Sequence, residues 1–159
     1  MEEYDLVVLG AGPGGYVAAI RAGQLGMKTA VVERDAVGGV CLNWGCIPSK
    51  ALLRSAEVLG LVKHADEFGI SFDNLRYDFG IAIDRSRRIV NRLTRGVGML
   101  LKKNHVDYIE GAGLLKGPNT VEVADTGQLL RTKNVIIATG GRERILPALP
   151  VDREVVITS

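Results

Sequence analysis

The chain has 159 residues, 47% hydrophobic and 24% charged, with a net charge of +2. That is enough length for one domain with a real core, and the balance of an ordinary water-soluble globule. Near-neutral charge without a basic, aromatic-interleaved cluster argues against nucleic acid as a partner, and glycines and charges cut every apolar run short of a membrane span.

The chain opens Met1-Glu2-Glu3-Tyr4, acidic and unlike a signal peptide, so a cytoplasmic protein is expected. Residues 5–9 are a short, β-branched apolar run and predict a buried strand. Gly10-Ala11-Gly12-Pro13-Gly14-Gly15 then matches G-x-G-x-x-G, residues 16–25 predict a helix, and residues 28–32 a second strand ending on Glu33. A glycine motif alone is weak and has a bland reading as a turn. Here the strand before it, the helix after it and an acidic residue 18 positions beyond Gly15 complete the dinucleotide-binding context. In that context Gly10 makes the tight turn, Gly12 admits a pyrophosphate, and Gly15 lets helix and strand pack closely. The pyrophosphate would rest on free N–H groups at the helix start, and Glu33 would accept from a ribose. The motif leaves FAD and NAD(P) open.

Both cysteines of the chain, Cys41 and Cys46, follow within one stretch. In a regular helix residues five apart are rotated by about 140° and separated by roughly 8 Å, too far for a disulfide, so a bond here requires a distorted backbone. Gly45 and Pro48 permit that distortion. A short exposed disulfide is of the labile, catalytic kind. The alternatives are a free thiol pair in a core or half of a zinc site, for which only His64 and His105 remain, at unhelpful spacing. A flavin exchanges two electrons with both a nicotinamide and a dithiol, so the redox pair beside a dinucleotide motif favours FAD. Residues 43–64 continue as a helix, with Lys50 one turn past Cys46, either beside a flavin or thiolate or simply solvated. Trp44 either covers the pair or packs.

Residues 65–78 read as a loop. Phe79–Lys103 predicts a long helix with Ile83, Val90, Leu93, Val97 and Leu100 as its apolar stripe. Its arginines at 85, 87, 88, 92 and 95 read as a solvated or partner-facing side rather than a phosphate site. Residues 106–110 predict a strand, and residues 114–116, 120–123 and 128–131 an antiparallel meander. Residues 134–138 predict another buried strand, leading into Thr139 and Gly140 where ligands bind in open α/β sheets. One more strand is predicted at 155–157.

Together Gly39-Val40-Cys41-Leu42-Asn43-Trp44-Gly45-Cys46-Ile47-Pro48-Ser49-Lys50, the glycine motif, Glu33, Gly111-Ala112-Gly113 and Ala138-Thr139-Gly140 resemble the FAD-dependent pyridine nucleotide–disulfide oxidoreductases, most nearly the branch that oxidises dihydrolipoamide. Glutathione and mercuric reductases tend to carry valine after each cysteine, where Leu42 and Ile47 stand here. The resemblance implies an α/β fold: a Rossmann-like FAD-binding domain of parallel sheet plus a small antiparallel meander. It implies catalytic Cys41 as the thiol exchanging with substrate and Cys46 as the thiol facing the flavin. Gly10, Gly12, Gly14, Gly15, Glu33, Arg34, Gly39, Val40, Cys41, Lys50, Gly113, Thr139 and Gly140 would bind FAD, with no metal. NAD+ would be the co-substrate, dihydrolipoamide on a lipoyl carrier domain the partner, and the full-length parent a homodimer. Members of the family are much longer. Residues 1–150 are thus expected to be the first part of an FAD domain and 151–159 the start of a connection towards an NAD domain, a fragment not expected to turn over alone; a stand-alone nucleotide-binding module is the alternative. Gly141-Arg142-Glu143-Arg144 lacks the proline usual after the Ala-Thr-Gly motif.

Overall fold

The computed structural model describes residues 2–158. Six strands, β1 (Glu2–Leu9), β2 (Thr29–Glu33), β3 (Val106–Glu110), β4 (Gly113–Gly117), β5 (Thr120–Val123) and β6 (Gln128–Ile137), form one sheet in the order β3-β2-β1-β6-β5-β4. The pairs β3–β2, β2–β1 and β1–β6 are parallel, whereas β6–β5 and β5–β4 are antiparallel. Helices α1 (Pro13–Gln24), α2 (Gly39–Asn43), α3 (Cys46–Lys63) and α4 (Phe79–Lys103) complete the fold, with a short 3-10 turn at Ala65–Phe68. No helix among the described residues is long and apolar enough to cross a membrane.

Side chains of a strand alternate between faces, so β1 and β2 serve two cores. Leu6, Val8 and Val31 pack with Ala19 and Ala22 of α1 and with Val97 and Leu101 of α4. Val7, Leu9, Ala30 and Val32 point the other way, onto Val121, Val123 and Leu130 of the antiparallel strands. The sheet therefore curls over its own face. A Cβ at Gly113 in β4 would fall 2.6 Å from Leu9 Cδ2, although β4 lies three strands from β1 in the hydrogen-bonded order. Burial of each central valine contributes on the order of 1.5–3 kcal/mol.

The expected meander strand 128–131 and the expected parallel strand 134–138 are one ten-residue strand. No glycine or proline interrupts Thr132 and Lys133, and the Asn119 side-chain amide donates to both their carbonyls, at 2.9 and 3.3 Å. The first half of β6 pairs with β5 up to Arg131, and β1 is its partner on the other edge from Leu130 onward. The expectation that 134–138 is buried is corrected: Ile136 and Ile137 are exposed, the latter by 65%. With no strand hydrogen-bonded on its other side after Arg131, an apolar run of this kind is not covered by the described residues.

The helix over Phe79–Lys103 is present, capped by Asp78, whose carboxylate accepts from Ile81 N at 3.2 Å. Its buried stripe is Ala82, Ser86, Val90, Val97 and Leu101, whereas Leu93 and Leu100 are exposed. Small residues at 82 and 86 let α3 approach, which rotates the buried face away from the larger side chains. The continuous helix expected over 43–64 is instead broken at Trp44 and Gly45. The strand expected at 155–157 does not form. Asp152 Oδ1 accepts from the N–H groups of Glu154, Val155 and Val156, each at 2.9 Å, and these turned donors are unavailable to a ladder. His64 and His105 are exposed.

Candidate functional site

The carboxyl ends of β1, β2 and β6 meet the loops that follow them, and backbone hydrogen bonds of 2.8 Å fix the arrangement. Gly10 N donates to Val32 O, Gly38 N to Ala11 O, Gly111 N to Glu33 O and Ala138 N to Leu9 O. Gly10 takes φ +96°, a conformation other residues rarely adopt, and a Cβ there would overlap the Ala138 carbonyl. A Cβ at Gly15 would overlap Gly10 O, so the first turn of α1 sits directly against the end of β1. α1 has Gly12 as its N-cap with Pro13 following, and no side chain caps it. Its first N–H groups are therefore free donors at the positive end of the helix. Glu33 sits beside them: its carboxylate accepts from Ala11 N at 2.7 Å and from Asp35 N at 2.9 Å.

The redox stretch is brought to the same place by a contact that no motif announces. A Cβ at Gly39 would fall 2.7 Å from Gly12 Cα, so α2 begins against the glycine turn. Asn43 holds that start with its side-chain amide, donating to Gly39 O at 2.9 Å and Val37 O at 3.1 Å. α2 ends after one turn. Trp44 N and Gly45 N both donate to Val40 O, at 2.9 and 2.7 Å, and Gly45 turns away at φ −118°, ψ −106°. This break brings the Cα atoms of Cys41 and Cys46 to 4.7 Å, and the two are joined as a disulfide. Cys46 is the first residue of the 18-residue helix α3, which also lacks a side-chain cap. A thiolate released there would face free helix N–H groups at the positive end of the helix dipole.

These pieces enclose an open cleft of about 940 Å³. Gly10, Gly12 and Gly14 line one wall, Glu33 and Arg34 with Gly113 another, and Gly39, Val40, Cys41 and Cys46 a third, with Thr139 and Gly140 at the rim. Two of the residues implicated by sequence are elsewhere. Gly15 is buried under the turn, and Lys50, exposed on α3, is outside the lining. Trp44 lines the cleft and is 45% exposed. Sequence reasoning missed Asn43 and the arginines of α4. Arg87 donates to Asn43 O at 3.1 Å and Arg85 to Ala51 O at 3.0 Å, so part of the arginine run holds the redox segment instead of facing only solvent. The side-chain amide at Asn43, just ahead of the helix break, was the available signal.

Groups with displaced acidity lie away from the cleft. Burial, then a hydrogen bond to Glu2, pushes the Tyr4 phenol up. Hydrogen bonds from Lys133 and from the Lys28 backbone hold Asp5 below the usual carboxylate range, and the same pairing raises Lys133.

A nucleotide-type glycine turn and a disulfide opening on one cleft, at the carboxyl edge of a parallel sheet, define a disulfide oxidoreductase on an α/β nucleotide-binding fold. The chain belongs to the pyridine nucleotide–disulphide oxidoreductase family, whose sequence profile it matches over residues 4–158. It is similar to the dihydrolipoyl dehydrogenases of Mycobacterium bovis (51% identity, 98% of this chain and 34% of the relative) and Bacillus subtilis (48%, 99% and 35%). Its fold is similar to that of the HOCl-induced flavoprotein disulfide reductase RclA of Escherichia coli, solved as a Cu(II) complex, with a TM-score of 0.76 at 26% identity. That match covers 92% of this chain and 31% of the other. The chain spans about a third of the length of the curated relatives it matches.

Proposed function

We propose that this chain is the N-terminal flavin-binding portion of a dihydrolipoamide dehydrogenase, with Cys41 and Cys46 as its redox-active pair. The observation that carries the reading is the disulfide opening on the cleft built by the glycine turn. The cleft fits the adenine dinucleotide of FAD. Uncapped N–H groups at the start of α1 suit a pyrophosphate, and the Glu33 carboxylate beside them suits a ribose. Gly10, Gly12, Gly14, Gly39, Val40, Gly113, Thr139 and Gly140 would hold the group chiefly through backbone, with Gly15 supporting the turn from below. When bound, FAD supplies two-electron exchange with both a dithiol and a nicotinamide.

The chemistry of the pair itself is thiol–disulfide exchange. A thiolate of dihydrolipoamide attacks Cys41 Sγ, the Cys41–Cys46 bond breaks, and Cys46 leaves as a thiolate. Its place at the uncapped start of α3, where free N–H groups would stabilise the departing thiolate, supports Cys41 as the atom attacked. The second substrate thiolate then attacks the mixed disulfide, releasing lipoamide and leaving both cysteines reduced. Two electrons have passed from substrate to protein. Transfer onward to NAD+, a lipoyl carrier domain as donor, assembly as a homodimer and a cytoplasmic setting are properties we assign to the whole protein.

Two measurements test this. Protein purified without added cofactor is expected to release FAD on heating. A stoichiometric excess of dihydrolipoamide is expected to yield two alkylatable thiols per chain, and none by exchange in Cys46→Ser, which has no disulfide to open. A parent chain that keeps its disulfide under a tenfold excess of dihydrolipoamide would sink the reading.

A further inference from the structure

Three consecutive residues of α4 reach across to the segment that carries the disulfide. Arg85 Nη1 donates to Ala51 O at 3.0 Å, the Ser86 hydroxyl to Pro48 O at 3.4 Å, and Arg87 Nη1 to Asn43 O at 3.1 Å. Ser86 is buried, with 2% of its surface exposed. The acceptors flank Cys46: Asn43 stands between the cysteines, ahead of the break at Trp44 and Gly45, and Pro48 and Ala51 stand after Cys46. Asn43 is the last residue of α2, so its carbonyl has no partner within that helix and meets a guanidinium instead. The same residue fixes the start of α2 with its side chain. One residue thus joins the glycine turn, through Gly39, to α4, through Arg87.

We infer that Arg87 is a positioning residue for the redox pair: by anchoring the Asn43 carbonyl it holds the chain between Cys41 and Cys46 in the broken-helix form that brings the two sulfurs together. This rests on the redox reading of the pair. In the reduced chain nothing covalent keeps residues 41 and 46 close, and a regular helix through 41–46 would carry them about 8 Å apart. The anchor opposes that relaxation, so the dithiol stays arranged for closure. Its removal lowers the effective concentration of each thiol at the other and favours the reduced form. Arg85 and Ser86 hold the far side of the loop and contribute less, because Pro48 and Ala51 lie within regular α3 in any case.

The test is the redox equilibrium of the full chain in mixtures of reduced and oxidised dithiothreitol, read by alkylation and mass shift. In each exchange the protein disulfide takes up two electrons and two protons as dithiothreitol closes its own disulfide. Arg87→Ala is expected to shift the equilibrium three- to tenfold towards the dithiol, about 30 mV at the upper end. Arg87→Gln carries the same test, at twofold or more, if the alanine variant does not fold. Arg92→Ala, on the same helix but without a bond to the segment among the described residues, is expected to leave the equilibrium within 1.5-fold, roughly the resolution of the assay. A purely structural role for Arg87 would lower the melting temperature and leave this equilibrium where it was. An unchanged equilibrium in a folded Arg87 variant, or an equal shift in Arg92→Ala, overturns the inference. A parent pair that never exchanges with dithiothreitol overturns the redox reading as well.

Discussion

Two walls of the same cleft are built on opposite terms. The wall made by the glycine turn has no spare volume at its base, where β1 and α1 meet through backbone atoms and a single methyl group at Gly10 or Gly15 would overlap a carbonyl oxygen. The rim after β6 is open. Gly140 and Gly141 have no atoms near the place a Cβ would occupy, and residues 139–150 are exposed throughout. Both belong to glycine motifs in the sequence and both look alike there. The difference shows that glycine is required on one wall by contact, whereas on the rim no described neighbour requires it. The rim joins the sheet at Ala138, whose N–H donates to Leu9 O at 2.8 Å.

Substitutions can press on that contrast. The largest effect is expected from Gly15→Ala, which forces apart the first turn of α1 and the end of β1. Overpacking of this kind costs about 3 kcal/mol, and the loss is read as a fall in the denaturation midpoint. A variant within 0.5 kcal/mol of the parent, about the level of a neutral surface change, would mean that the turn is not as tightly packed as the geometry has it.

A smaller effect is expected where side chains tie β1 to β6 midway along their ladder. Lys133 Nζ pairs with Asp5 Oδ1 at 2.7 Å. The carboxyl of Asp5 is held below its unfolded value, so its contribution is present above about pH 4 and is lost as pH falls through the folded value. Lys133 is raised, so its contribution is present below about pH 10 and is lost as pH rises through the folded value. Asp5→Asn should flatten the acid limb of the stability profile below pH 4, as followed by thermal melts across pH. An acid limb as steep as the parent's would remove Asp5 from the account. The smallest effect belongs to Gly141→Ala on the rim, expected within about 0.5 kcal/mol, and a greater loss there would break the contrast itself.

What the sequence disclosed, and what it withheld, follows the range of the interactions. β1, α1 and β2 were legible because their signals are local: a β-branched run, a glycine turn, a helix and an acidic residue at fixed spacing. The bounds of α4 were legible from the long amphipathic pattern. The two thiols were found by being the only pair. Contacts across the chain were not legible. Gly39 against Gly12 and Arg87 against Asn43 join residues that no periodicity relates. The buried stripe of α4 was right at Val90 and Val97 and misplaced at Leu93 and Leu100, because Ala82 and Ser86 admit α3 more closely than a large side chain would. Residues 134–138 read as core because apolar runs usually are, whereas burial depends on neighbours that a run does not name. β6 was split in two because its first half carries turn signals before it and its second half a glycine after it, and nothing local says that one strand serves both pairings.

That shared strand also sets the order in which the chain can finish. β1 finds β2 soon after both exist, with Lys28 and Asp5 already bonded through their backbones. Its other edge waits for β6, and the Asp5–Lys133 contact that closes the register spans 128 positions. At a synthesis rate of roughly 5–20 residues per second, that is about 6 to 26 s during which a strand with two fully buried valines at its centre has one side unpaired. Closing so long a loop adds entropy cost only as a logarithm, so the finished sheet loses little by it. The interval is the vulnerability: β1 is made well before the partner of its second edge, and that edge is open to any other extended chain in between.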